Sequence, residues 1–279
     1  MSGLSEGEIR QLVEALTSAI ESDPLKLAIV GISGVGKSST INALFDTDLK
    51  ISHTVACTKE FTSVPVSVDL RQGTSTSRAA LHVIDAPGLG ESIDADPHYL
   101  ARYQEELPSC DVVLWVIGAR NRGLVLDQRY LSQLCKFSPN IVFAVNQVDL
   151  VEPMDWTAAN IPSQRQREHI AAIQMDRSEK LGSVLGEPPA IVPYSAAKKF
   201  NLSILFGAMI DALAEERRAL YDLIRTFRFE DQFSGRVPNV GENSEFKRAP
   251  AKRGPRERAR NYVKRILQLD FSSCFRRGK

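Results

Sequence analysis

Apolar residues along the chain gather into short continuous runs, separated by stretches with a helical period. Leu25 to Ile32 (L-K-L-A-I-V-G-I), Asp111 to Ile117 (D-V-V-L-W-V-I), Ile141 to Val145 (I-V-F-A-V) and Ala190 to Tyr194 are such runs. Strands covered on both faces of a parallel sheet read this way, because neither side of the pleat meets water. Glu60 to Leu70 differs. Its Val64, Val66 and Val68 alternate with other residues, the two-residue period of a half-covered strand. The polar segment R-Q-G-T-S-T-S-R that follows predicts a hairpin turn, and Ala79 to Ile84 the returning strand. Helices are predicted over Ser38 to Phe45, Asp127 to Lys136, Pro162 to Leu185 and Leu202 to Arg228. Strands alternating with helices, plus one early hairpin, predict an α/β fold. Its sheet has six strands, mostly parallel with a single antiparallel member, flanked by helices.

The ends of the chain read differently. Ser5 to Ser22 predicts an amphipathic helix, with capping-box spacing at Ser5 and Glu8 and Ile9, Leu12, Val13, Leu16 and Ile20 on one face. Asp23-Pro24 stops it. After Phe229 the composition turns to Gly, Pro, Asn, Ser and Arg, as in a linker. Arg256 to Asp270 predicts a last, basic helix with Tyr262, Ile266 and Leu269 together. Three parts follow: an N-terminal helix over 1–23, an α/β domain over 24–228, and a linker with a basic tail over 229–279.

Charge changes the picture more than overall composition does. The formal net charge is +1, but residues 247–279 hold 12 Lys and Arg against Glu257 and Asp270, a net of +10. The first 246 residues then carry −9. A basic tail on a mildly acidic body suits an anionic partner, RNA or an acidic membrane face. With 43% hydrophobic and 25% charged residues, a fully disordered chain or a coiled-coil rod is excluded. Four well-separated cysteines without a C-x-x-C pair speak against a disulfide framework or a zinc knuckle. No apolar run approaches the ~18 residues of a membrane span. Met1 to Arg10 lacks the basic-then-apolar order of a signal peptide. The expectation is a soluble cytoplasmic protein.

The chemistry sits at strand ends. Gly31-Ile32-Ser33-Gly34-Val35-Gly36-Lys37-Ser38 fits G-x-x-x-x-G-K-[ST] between a predicted strand and a predicted helix. Such a loop wraps a phosphate in backbone N–H groups, and the helix N-terminus adds positive potential. Gly31, Ser33, Gly34, Val35, Gly36 and Ser39 would form the cradle. Lys37 would reach the β- and γ-phosphates, and the Ser38 hydroxyl would bind Mg2+. Asp85-Ala86-Pro87-Gly88 lies 54 residues beyond Gly31, at the end of the returning strand. Asp85 there faces the metal through a water, and the Gly88 N–H can sense a γ-phosphate. Asn146-Gln147-Val148-Asp149 follows the next buried strand. A carboxylate at Asp149 accepts two hydrogen bonds from guanine, and would be left unpaired by adenine. Ser195-Ala196-Ala197, after the last strand, would bring a backbone N–H to the guanine O6.

In this order the motifs resemble the translation-factor-related P-loop GTPases, in particular the TrmE/Era group and its prophage-encoded YfjP-type branch. The resemblance covers about 24–219, and the tract Ser52-His53-Thr54-Val55-Ala56-Cys57-Thr58-Lys59-Glu60 is similar to that group's first switch. It implies a P-loop NTPase G domain that binds GTP or GDP with Mg2+. Lys37, Thr58 and Gly88 would then act on the phosphates, Ser38, Thr58 and Asp85 on the metal. Asn146 and Asp149, with Gln147, Ser195 and Ala196 beside them, would read the base. Three residues depart from the pattern. Gln147 replaces the usual Lys, whose stem lies along the base. Leu89 follows Gly88 where Ras-type proteins place the Gln that orients water. Gly34 stands where potassium-activated members carry an Asn.

The leading expectation is a GTPase switch with slow intrinsic hydrolysis, helped by a partner, an ion or a second protomer in a GTP-dependent homodimer. Its tail, 247–279, would engage RNA or a ribosomal particle. Two others remain: a membrane-surface GTPase of dynamin-like or septin-like habit, and a nucleotide-binding module without turnover.

Overall fold

A computed structural model describes residues 23–47, 49, 61–72, 75–90, 94, 96–121, 123–138, 140–215 and 217–218. The sequence expectations for Ser5 to Ser22, for Thr58 and for Arg256 to Asp270 lie outside these residues. Six strands form one sheet: β1 (Leu25–Val30), β2 (Thr62–Gln72), β3 (Ser75–Asp85), β4 (Val112–Gly118), β5 (Ile141–Asn146) and, last in this sheet, Ile191–Pro193. That last strand is preceded by two short ones, β6 (Trp156–Ala158) and β7 (Ile161–Pro162), which pair only with each other, so it is β8. The order across the sheet is β2-β3-β1-β4-β5-β8. Only β2 runs antiparallel to its neighbour. The predicted sheet is therefore observed, with β2 lying two residues further along than its apolar pattern and β3 extended at both ends. β2 and β3 stay paired as far as Gln72 opposite Ser75, so two residues connect them instead of an eight-residue turn.

Among the described residues, α1 (Lys37–Phe45), α2 (Asp96–Glu106), α3 (Val125–Leu134) and α4 (Gln164–Leu185) lie between strands, and α5 (Leu202–Asp211) follows the last one. α1 packs with α5, where Phe45 and Phe206 meet edge to face. α3 lies between α2 and α4. Strand β1 serves both layers. Ala28 and Val30 join a core with Tyr103, Tyr130, Leu131 and Leu181 of α2, α3 and α4, and the two-residue period turns Leu27 and Ile29 the other way.

Three helical boundaries correct the sequence reading. α4 starts at Gln164 because Ser163 caps it, its Oγ accepting from the Gln166 N–H at 3.0 Å, while Pro162 belongs to β7. The helix predicted over Leu202 to Arg228 is interrupted: α5 ends at Asp211, Glu215, Arg217 and Arg218 are helical again, and residues 219–228 lie outside the described ones. Arg218 reaches back across the interruption to donate to the carbonyls of Asp211 and Leu213. α2 was not anticipated, because its single fully buried residue, Tyr103, gives no apolar period. Asp96-Pro97 at its start is the signal that could have found it.

Two charged clusters tie the layers. Trp115 of β4 donates through Nε1 to Asp127 Oδ1 of α3 at 3.2 Å, both fully buried. Burial pushes the Asp127 carboxyl up to about 6. Buried Arg177 of α4 donates to the carbonyls of Ala119 and Asn121 after β4. At the opposite edge Arg217 bonds the Asp23 carboxylate at 2.8 Å, the Asp23 carbonyl at 2.9 Å and the Asp111 carboxylate at 3.1 Å.

Candidate functional site

The site is assembled at the C-terminal ends of β1, β3, β5 and β8. β1 runs into the Gly31–Gly36 loop, and α1 begins immediately after it. Gly36 has φ +89°, and a Cβ on it would lie 2.5 Å from Asn146 Nδ2. No larger residue fits there. Lys37, almost fully buried, donates through Nζ to the carbonyls of Gly31 and Ile32, each at 3.2 Å. Its ammonium thus lies across the loop. Ser33 and Gly34 are exposed on the loop's outer rim, Val35 is buried under it, and Ser39 is half-buried on the first turn of α1. Thr40 anchors the same turn, its hydroxyl 2.8 Å from the Gly36 carbonyl and 2.7 Å from the Tyr194 hydroxyl.

Ser38 Oγ donates to Asp85 Oδ2 at 3.0 Å, bringing the two predicted metal residues together from 47 positions apart. A hydroxyl and a carboxylate beside a helix N-terminus are hard oxygen donors of the kind Mg2+ takes. Beyond Asp85 the chain lies against the phosphate loop. Leu89 N–H donates to the Gly31 carbonyl at 3.3 Å, and Ser33 N–H to the Leu89 carbonyl at 2.9 Å. The approach is so close that a Cβ on Gly88 would fall 2.6 Å from Ser33 Cα. Leu89 itself is fully buried in the core. Asp96 closes the base of the next loop by accepting from the Gly90 N–H at 3.0 Å and from the Tyr130 hydroxyl.

The residues expected to read the base form a second cluster. Asn146 is buried, its Nδ2 donating to the Val35 carbonyl at 2.9 Å and its Oδ1 accepting from the Ala196 N–H at 3.1 Å. One carboxamide therefore joins three loops. Gln147, in the left-handed region at φ +64°, donates through Nε2 to the Gly34 carbonyl at 3.1 Å. Ser195 Oγ donates to Asp149 Oδ1 at 2.6 Å and accepts from the Lys198 N–H at 2.9 Å. The loop over 195–200 is shut by reciprocal bonds between Ser195 and Phe200, and Trp156 of β6 packs edge-on against Phe200 at 5.4 Å. The sequence pointed to neither Trp156 nor Thr40, since each acts through a neighbour distant in the chain.

Comparison with known proteins gives these positions a context. Residues 26–147 match the family model described as 50S ribosome-binding GTPase. The uncharacterized protein YfjP of Escherichia coli is 31% identical over 174 residues, 61% of this chain and 57% of that one. GTPase Der of Rhodopirellula baltica is 30% identical over 226 residues, 77% of this chain and 45% of its own. The chain thus spans about half the length of the curated relatives it matches. Among solved structures, Era in complex with MgGDPNP and a segment of 16S ribosomal RNA has the same fold. Its TM-score is 0.50 at 23% identity, over 68% of this chain and 57% of that one.

Proposed function

We infer, for a chain that carries a TrmE/Era-like P-loop GTPase domain, that it binds GTP with Mg2+ and hydrolyses it slowly. The observation that carries this reading is the Asn146 carboxamide. It ties the phosphate loop to the loop that orients Asp149, so one nucleotide spans both clusters. The N–H groups of Gly31 to Ser39 and the Lys37 ammonium receive the phosphates. Asp149, oriented by Ser195, accepts from guanine. Ser38 and Asp85, with Thr58, would hold Mg2+, which supplies charge neutralisation between phosphate oxygens.

Slow turnover follows from Leu89. Packed in the core, it brings no polar group to an attacking water. A second protomer or a partner then completes the site. Competition of GTP, GDP and ATP for the wild type tests binding, and single-turnover hydrolysis tests chemistry. Equal competition by ATP removes the guanine assignment, and absent hydrolysis leaves a binding module.

The cytoplasmic partner we favour is RNA or a ribosomal particle, engaged by residues 247–279. The +10 charge there is rich in Arg, whose planar fork suits phosphates and stacked bases. Removing 247–279 is expected to leave GTP affinity intact and to abolish salt-sensitive RNA binding. Retained RNA binding, or binding to acidic vesicles in place of RNA, overturns that partner. Among the described residues no helix is long and apolar enough to cross a membrane.

A further inference from the structure

Tyr103 is fully buried on α2, and its hydroxyl donates to the Pro87 carbonyl at 2.6 Å. That carbonyl and the Gly88 N–H belong to one peptide group. In a trans peptide the two point in opposite directions, and this peptide is not among the cis bonds of the described residues. Fixing the carbonyl therefore fixes the N–H. The same peptide is confined from the other side, where Gly88 lies against Ser33 and Leu89 is bonded to Gly31. Tyr103 and the phosphate loop thus hold it between them.

The phenol ring is seated as firmly as its hydroxyl. Phe61, the residue immediately before β2, packs edge-on against Tyr103 with 4.8 Å between ring centroids. The Arg102 guanidinium lies 5.9 Å from the other ring's centroid, over Phe61. Burial, and then the Asp85 carboxylate, raise the Tyr103 phenol well above its ordinary range, so it stays a donor across the accessible pH range.

We propose that Tyr103 is a positioning residue for GTP over GDP, acting through the Pro87–Gly88 peptide. Its hydroxyl presents the Gly88 N–H to the terminal phosphate before nucleotide arrives, so the site does not reorder a peptide on binding GTP. GDP has no γ-phosphate and gains nothing from this. The proposal rests on the GTPase reading above.

The test is the ratio of dissociation constants for a non-hydrolysable GTP analogue and for GDP, in wild type and in Tyr103→Phe. The variant keeps the ring and its contact with Phe61 and loses only the hydroxyl. The analogue is expected to bind about five- to tenfold more weakly, the value of one neutral hydrogen bond, with GDP unchanged within about twofold. Phe61→Leu, which loosens the ring seat, is expected to shift the ratio in the same direction by less, and carries the test should Tyr103→Phe fold poorly. Equal loss for both nucleotides marks Tyr103 as merely structural and overturns the proposal, as does an unchanged ratio. Wild type that binds no guanine nucleotide overturns the GTPase reading as well, which separates the two failures.

Discussion

Gln147 Nε2 stands 3.1 Å from the Gly34 carbonyl, so the side chain after Asn146 fastens the loop that follows β5 to the Gly31–Gly36 loop. An amide performs here the tether that a Lys ammonium at the same position could also make. Gln147→Ala removes the tether without touching the phosphate contacts. GTP and GDP affinities are expected to fall together, by about three- to tenfold, with Gln147→Lys close to wild type. Titration with fluorescent forms of both nucleotides checks this, and a loss confined to GTP contradicts it.

On the GTPase reading, the choice of base is assigned to Asp149. Its carboxylate is oriented by Ser195 Oγ at 2.6 Å, and it can accept from guanine only while it offers two acceptors. Asp149→Asn is expected to weaken GTP by about 100-fold and to favour xanthosine triphosphate, whose carbonyl at the amino position needs a donor. Competition among GTP, XTP and ATP measures it. Unchanged GTP preference removes Asp149 from the base site.

Leu89 is a core residue, and replacing it with a polar one is a stability experiment as much as a kinetic one. Leu89→Gln buries an amide among apolar side chains and is expected to cost about 2–3 kcal/mol in urea unfolding. Single-turnover hydrolysis is expected not to rise, because the side chain enters the core. A faster variant of undiminished stability defeats this account.

Asp127 predicts a pH dependence of opposite sign to most carboxylates. Burial raises its carboxyl from the ordinary aspartate range to about 6, with Trp115 as its hydrogen-bond donor. Below about pH 4 the group is neutral in both the folded and the unfolded chain, so burial costs nothing. As pH rises through that interval toward 6, only the unfolded chain releases the proton freely, and stability falls. Asp127→Asn, which keeps an acceptor for Trp115, is expected to gain about 1–3 kcal/mol at pH 7.5. The gain should vanish near pH 4. Denaturant midpoints across that range decide it, and a constant difference would rule out titration of Asp127 as the cause.

Much of the domain could be read from the chain. The runs at Leu25, Val112 and Ile141 become strands because both faces are covered, and the four motifs fall at the strand ends where the chain turns over the same edge. Helix α2 escaped notice because Tyr103 alone of its residues is fully buried, leaving no stripe to read. The interruption after Asp211 carries no breaker residue, since Ala212, Leu213 and Ala214 are all good helix formers. In the sequence Gln147 stands only as a replacement for the usual Lys. Its value lies in a bond to Gly34, 113 residues away, which no local pattern records. Local periodicity reports the covering of a face. It does not report which polar atom meets which across the fold.

The contact between Arg217 and Asp23 closes the described domain on itself, joining positions 194 residues apart. Head and foot of the G domain therefore stand side by side, at the strand that leads directly into Gly31. A chain with adjacent ends can be cut elsewhere and rejoined: a short linker between these two positions, with new ends opened between Gln72 and Ser75, preserves every strand pairing of the sheet. The domain is in this sense a cassette. It can be carried within a longer protein through one narrow point of attachment, with β1 the first element to feel a load applied there.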